Sequence, residues 1–198
     1  MIAAALTLML AATDVHISHG RVVCTGTAGS HTLSVRGRFS DPILSPDGHT
    51  VAFTRTFKSY DVPDGVAGDA WVGDCNTGQA RLRTPGAWAK GFSPDGRNLY
   101  ISVAPGGDSR LIERVDPLTD DRPAHVAYAE LIGVIRNGAE RGELIVTQHS
   151  TLPHEDYATY PVYLFRPDGT PIVRIIGSET WNDKATQAWI RSKGWKLR

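Results

Sequence analysis

The tetrapeptide Ser-Pro-Asp-Gly occurs twice, at residues 45–48 and 93–96, and the two copies start 48 residues apart. An apolar run enters each copy, Pro42-Ile43-Leu44 in the first and Ala89-Lys90-Gly91-Phe92 in the second. A strand-like run leaves each, Thr50-Val51-Ala52-Phe53-Thr54 and Asn98-Leu99-Tyr100-Ile101-Ser102. Within the turn, Pro sets φ, Asp tolerates the third position, and Gly takes the left-handed φ that closes a bulged hairpin. Two strands joined by a tight turn, repeated at a period in the forties, form the pattern of a propeller blade. Two unrelated surface hairpins would share the turn without sharing the flanks and the spacing.

The period divides most of the chain into units near 41–86, 87–130 and 131–178. Strands are predicted at 42–45, 50–57, 69–75 and 79–83 in the first unit, and near 87–92, 98–104, 109–115 and 123–128 in the second. In the third, Glu130 to Ile135 and Glu143 to Thr147 are joined by Asn137-Gly138 to Gly142, and Pro161 to Phe165 and Pro171 to Ile176 by Arg166-Pro167-Asp168-Gly169. Residues 13–40 contain further short β-type runs broken by Gly20, Gly26, Gly29 and Gly37. Together with 179–198 they amount to one more blade. The expected fold is therefore all-β, a small propeller-like array of about four four-stranded antiparallel blades, with one blade drawn from both termini. Such closure would protect sheet edges; the rival is an open arc completed by a partner or by self-association. Asn182 to Lys196 reads as a short helix rather than a strand. Trp71 and Trp88 fall at strand positions and are expected in the core. Trp181, Trp189 and Trp195 crowd the tail among basic residues; the rings are expected to seal the ring closure with the basic heads left in water, the alternative being a surface that docks on a partner or a membrane.

Twenty-one basic and 21 acidic residues leave no net charge, which argues against nucleic acid or an anionic membrane as partner. Residues 1–12 are apolar or small and end in Ala11-Ala12, resembling a secretory signal cut after Ala12, although no Lys or Arg precedes the run. The run is too short to span a bilayer. The remainder, 13–198, reads as one exported domain, periplasmic or secreted. Cys24 and Cys75 are the only cysteines; they could pair in an exported chain or remain buried thiols in a cytosolic one.

The strand, Ser-Pro-Asp-Gly, strand pattern at Phe39 to Phe53 and Trp88 to Ser102 resembles the TolB-type propeller repeats, also called WD40-like or PD40 repeats. The resemblance covers roughly 41–178. It implies a propeller fold and leaves function open, since such repeats occur in periplasmic scaffolds, peptidase propellers and polysaccharide lyases. TolB-like proteins typically carry more repeats than this chain does.

In a blade, the first-to-second and third-to-fourth turns lie on one face of the disc, and the second-to-third loops lie on the other. The Pro-Asp-Gly turns occupy the first face. The opposite face receives 57–68, 104–108 and 148–160, of which the first and last are far longer than a hairpin requires. Long loops on a rigid scaffold tend to carry function. The candidate binding residues are accordingly Tyr60, Asp61, Asp108, His149, His154, Glu155 and Tyr157, facing a protein or peptide partner. His149, His154, Glu155 and Asp156 include metal-ligand types, but their spacing matches no metal motif, as is also true of His16 and His19. No metal or other cofactor is assigned. No Gly-x-Ser-x-Gly elbow or phosphate loop is present. Ser45 and Ser93 recur with the blade and are read as structural, and Asp120-Asp121 as a solvated turn. The expected function is a non-catalytic binding or scaffold module; the alternative is a hydrolase or lyase using histidines and carboxylates of the same face, with or without a metal.

Overall fold

The computed structural model describes residues 11–27, 29–59, 66–106, 109–147, 161–176 and 184–197. Its strands are β1 (Ala12–Ser18), β2 (Arg21–Gly26) and β3 (Gly29–Thr32), then β4 (Arg38–Leu44), β5 (Thr50–Lys58), β6 (Val66–Asp74) and β7 (Ala80–Thr84). They continue with β8 (Ala87–Phe92), β9 (Leu99–Gly106), β10 (Ser109–Val115) and β11 (Ala124–Ala127). The last are β12 (Glu130–Val134), β13 (Leu144–Thr147), β14 (Val162–Phe165) and β15 (Pro171–Ile176), followed by helix α1 (Lys184–Ser192). Each run of strands pairs only with its chain neighbours, giving one three-stranded and three four-stranded antiparallel meanders. The predicted all-β array is what forms, and strands in the three repeat units begin and end within a few residues of the predicted positions.

The repeated corner works through its own side chains. Ser45 Oγ donates to Asp47 Oδ1 at 2.6 Å and accepts from the Thr50 amide at 2.9 Å. Ser93 does the same with Asp95 at 2.6 Å and the Asn98 amide at 3.0 Å. Gly48 and Gly96 supply the left-handed φ of 74° and 75°. The two serines are thus structural, as read from the repeat.

Three apolar seams join successive sheets, as expected of faces that must bury against one another. Val22, Cys24 and Leu33 of the first meet Val51, Phe53 and Cys75 of the second. Ile43, Ala52, Val72, Phe92, Leu99 and Ile101 form the next seam, and Tyr100, Ile112, Leu131, Leu144 and Phe165 the third. Cys24 and Cys75 form a disulfide across the first seam, with Cα atoms 5.6 Å apart. Trp71 and Trp88 are half-buried rather than fully enclosed. Trp71 stacks on Phe53 at 6.5 Å with Arg55 over its ring, and Trp88 fills the space that Gly68 leaves open.

The two ends of the array differ. The Ala12 amide donates to the Gly48 carbonyl at 2.9 Å, so β1 starts at the corner rim and runs away from it, as β5 and β9 do. The first sheet therefore fills the second, third and fourth strand positions of a blade. Its outward face carries Asp14, His16, Ser18, Arg21 and Thr25 with Val23 among them, because residues paired across strands share a face. At the other end Ile135, Ile145, Val162 and Leu164 are covered by Ile190, Trp189, Trp195 and Leu197. Thus α1, the helix expected in the tail, caps the last sheet. Among the described residues no C-terminal segment pairs with the first sheet.

Candidate functional site

The face sorting rests on where the corners lie. A Cβ built on Gly96 would stand 3.6 Å from Pro46 Cδ, and one on Gly142 would stand 3.1 Å from Pro94 Cγ. The first-to-second turns of three consecutive blades therefore touch on one rim. The third-to-fourth turn of the second sheet joins them there, since the Cys75 amide donates to the His49 carbonyl at 2.8 Å. The final pairs of β5 with β6 (Lys58 with Val66), β9 with β10 (Gly106 with Ser109) and β13 with β14 (Thr147 with Val162) consequently open on the opposite rim. The predicted site residues Tyr60, Asp61, Asp108, His149, His154, Glu155 and Tyr157 lie outside the described residues. The described strands place the roots of their three loops on one rim.

Sequence reasoning assigned nothing to the corner rim, yet a cavity of about 650 Å³ opens there. It lies between β6 and β7 of the second sheet and the β10–β11 loop of the third, and Asp47, His49, Asp74, Asn76, Val72 and Leu118 contribute to its lining. Two cross-blade clasps hold the loop. Arg81 Nη1 donates to Asp120 Oδ1 at 2.5 Å, and its Nη2 donates to the Pro117 and Thr119 carbonyls. Arg83 is buried, giving Nε to the Asp116 carbonyl at 2.9 Å and Nη2 to the Asp121 carbonyl at 2.8 Å. Burial and the neighbouring Arg81 charge lower the Arg83 pKa. Asp120, read as a solvated turn carboxylate, is thus an ion-pair partner, and Asp121 accepts from Thr119 Oγ1 at 2.8 Å.

On the opposite wall, Asn76 Nδ2 lies 3.1 Å from His49 Nδ1. Asn76 Oδ1 is buried without a hydrogen-bond partner. Partial burial pushes the Asp47 carboxyl up, but the Ser45 hydroxyl and the His49 amide hold it below the usual carboxylate range on balance. Asp74 Oδ1 accepts from the amides of Asn76 at 2.7 Å and Thr77 at 3.3 Å. Leu118 stands 75 % exposed at the mouth. His16 and His19 form no ligand set: His16 pairs loosely with Asp14 at 3.4 Å, and the described residues contain no group of three His, Cys, Asp or Glu able to hold a metal. The cavity escaped the sequence reading because its walls come from turns of two different blades, each of which reads only as a turn.

No family model matches the chain, and no curated protein does. Solved structures do. The β-propeller domain of the Trilobed protease from Pyrococcus furiosus, described as having an open velcro topology, aligns over 83 % of this chain and 52 % of its own, with 15 % identity and a TM-score of 0.54. An acylaminoacyl peptidase from Pyrococcus horikoshii aligns over 79 % of this chain and 28 % of its own, with 15 % identity and a TM-score of 0.50. A structure from Agrobacterium tumefaciens assigned as TolB aligns over 82 % of this chain at 16 % identity, with a TM-score of 0.40. This chain spans about half the length of the first and just over a quarter of the second. At such identities the likeness concerns architecture alone: the chain has the fold of a β-propeller domain.

Proposed function

We propose that the chain is an exported, non-catalytic binding or scaffold module of TolB-like propeller type, contacting a protein or peptide through the rim opposite its corners. The observation that carries this reading is the unequal use of the two rims. Corner side chains such as Ser45, Asp47, Ser93 and Asp95 are engaged in bonds within their own turns. The strand pairs that root the loops bearing Tyr60 and Asp61, Asp108, and His149, His154, Glu155 and Tyr157 open toward the other rim, and two of those three loops are long. The Cys24–Cys75 disulfide supports an oxidising compartment, periplasmic or extracellular. Among the described residues no helix is long and apolar enough to cross a membrane.

The test is a triple substitution of His149, His154 and Glu155 by Ala, read by crosslinking in intact cells and by elemental analysis of the purified chain. The reading expects a specific crosslinked protein that the variant loses while keeping the wild-type melting curve. A crosslink untouched by the variant, or stoichiometric metal in the wild type that disappears in the variant, would overturn it. The second outcome would move the assignment to a hydrolase or lyase.

A further inference from the structure

The corner-rim cavity has a chemistry distinct from that of the loop face, and we propose that it binds an alkylammonium group, a cationic amine carried on a short aliphatic stem. Size comes first: about 650 Å³ lies within the range of small-ligand pockets and far exceeds a packing defect. Its polar lining is biased toward acceptors. Asp47 and Asp74, both exposed, each direct one carboxylate oxygen, Oδ1, at backbone amides of their turns, and among the described residues no hydrogen bond engages Oδ2 of either. The cation in the lining, Arg81, is already neutralised by Asp120 and faces two carbonyls, so it does not offset those acceptors. An anionic ligand would meet two carboxylates and no uncommitted guanidinium.

The remaining wall is apolar. Val72, Ala80 and Pro117 line it, and Leu118 stands 75 % exposed at its edge. A stem of several methylenes covers such a wall while its head reaches the carboxylates, as a lysine side chain does when its stem lies along apolar surface. The site is independent of the loop-face reading, since it lies on the other rim.

The experiment titrates the full disulfide-bonded chain with n-butylammonium, following amide resonances of Gly73, Asn76, Thr77 and Gly78 by NMR, with n-butanol as the uncharged control. Saturable shifts with the amine that weaken as salt is raised, and none with the alcohol, are expected. Leu118→Arg, at an exposed position, places a cation in the mouth and should weaken amine binding about tenfold without changing the melting curve. The double variant Asp47→Asn, Asp74→Asn retains the Oδ1 acceptors of both turns and should weaken binding by about tenfold or more. Equal shifts with amine and alcohol, no shifts at these amides, or amine binding indifferent to Leu118→Arg would each overturn the assignment. A blocked Gly-Lys-Gly peptide that binds more tightly than n-butylammonium identifies the ligand as a lysine of a partner protein; equal affinity identifies a free amine.

Discussion

Two glycines with left-handed backbone, Gly86 in the connector between β7 and β8 and Gly169 in the third-to-fourth turn of the last sheet, show what that turn does. Gly86 has φ +65° with nothing within 4 Å of an added Cβ. Gly169 has φ +90°, and its Cβ would run into the Val126 carbonyl oxygen and carbon on the neighbouring sheet. Left-handed backbone costs an L-residue about 1–2 kcal/mol wherever it occurs, while overpacking adds about 1–3 kcal/mol more. Gly86→Ala should therefore lower unfolding free energy by about 1 kcal/mol, and Gly169→Ala by about 3 kcal/mol or more, in matched urea titrations. Equal losses would mean that the turn does not bear on the next blade. Proline, Asp and Gly in 166–169 revealed the turn in the sequence. That Gly169 is also the point of closest approach to β11 was not legible, because Val126 has no local signal marking it as a neighbour.

At the scale of the element, the first sheet is the weakest part of the array. It has three strands where the others have four, and its outward face is polar apart from Val23, so one seam carries its attachment. The Cys24–Cys75 bond crosses that seam and closes 51 residues of chain. Constraining a loop of that size stabilises by about 4 kcal/mol on the chain-entropy account. Cys24→Ser with Cys75→Ser should lower stability by about 2–5 kcal/mol. It should also speed amide exchange in β1–β3 well before β8–β14. Uniform acceleration across all four sheets would mean that the first sheet unfolds only with the rest. The sequence left the pairing of these cysteines undecided, since the answer depended on β2 and the end of β6 becoming neighbours. Strand alternation in β4–β14 was legible; the position of β1 as a second strand was not, because 13–40 contains no Ser-Pro-Asp-Gly corner.

For the whole molecule, the question is how a row of blades ends. Interior blades bury both faces, and a terminal blade must cover its outer face or make it polar, the same requirement that gives repeat arrays their capping units. The first and last described sheets meet this requirement differently. The first sheet turns Asp14, His16, Arg21 and Thr25 outward. The last sheet has apolar residues on both faces, and α1 with the tail covers the outer one. The attachment is directional as well as apolar: the Arg136 amide donates to the Lys196 carbonyl at 2.9 Å, Asn137 Nδ2 to the Gly194 carbonyl at 2.8 Å, and Trp195 Nε1 to Glu140 Oε2 at 3.3 Å. Basic residues and tryptophans pointed in the sequence to a seal at ring closure; the structure instead sets Trp189 and Trp195 over the outer face of the last sheet. Ile190→Asp places a carboxylate against Ile145 and Val162, where burying it is prohibitive, so the helix should lift away. Sedimentation velocity should then show concentration-dependent association of the variant through the uncovered sheet, while His16→Asp on the opposite end leaves the wild-type distribution unchanged. If Ile190→Asp sediments as the wild type does and melts at the same temperature, the helix is not what shields the outer face of the last sheet.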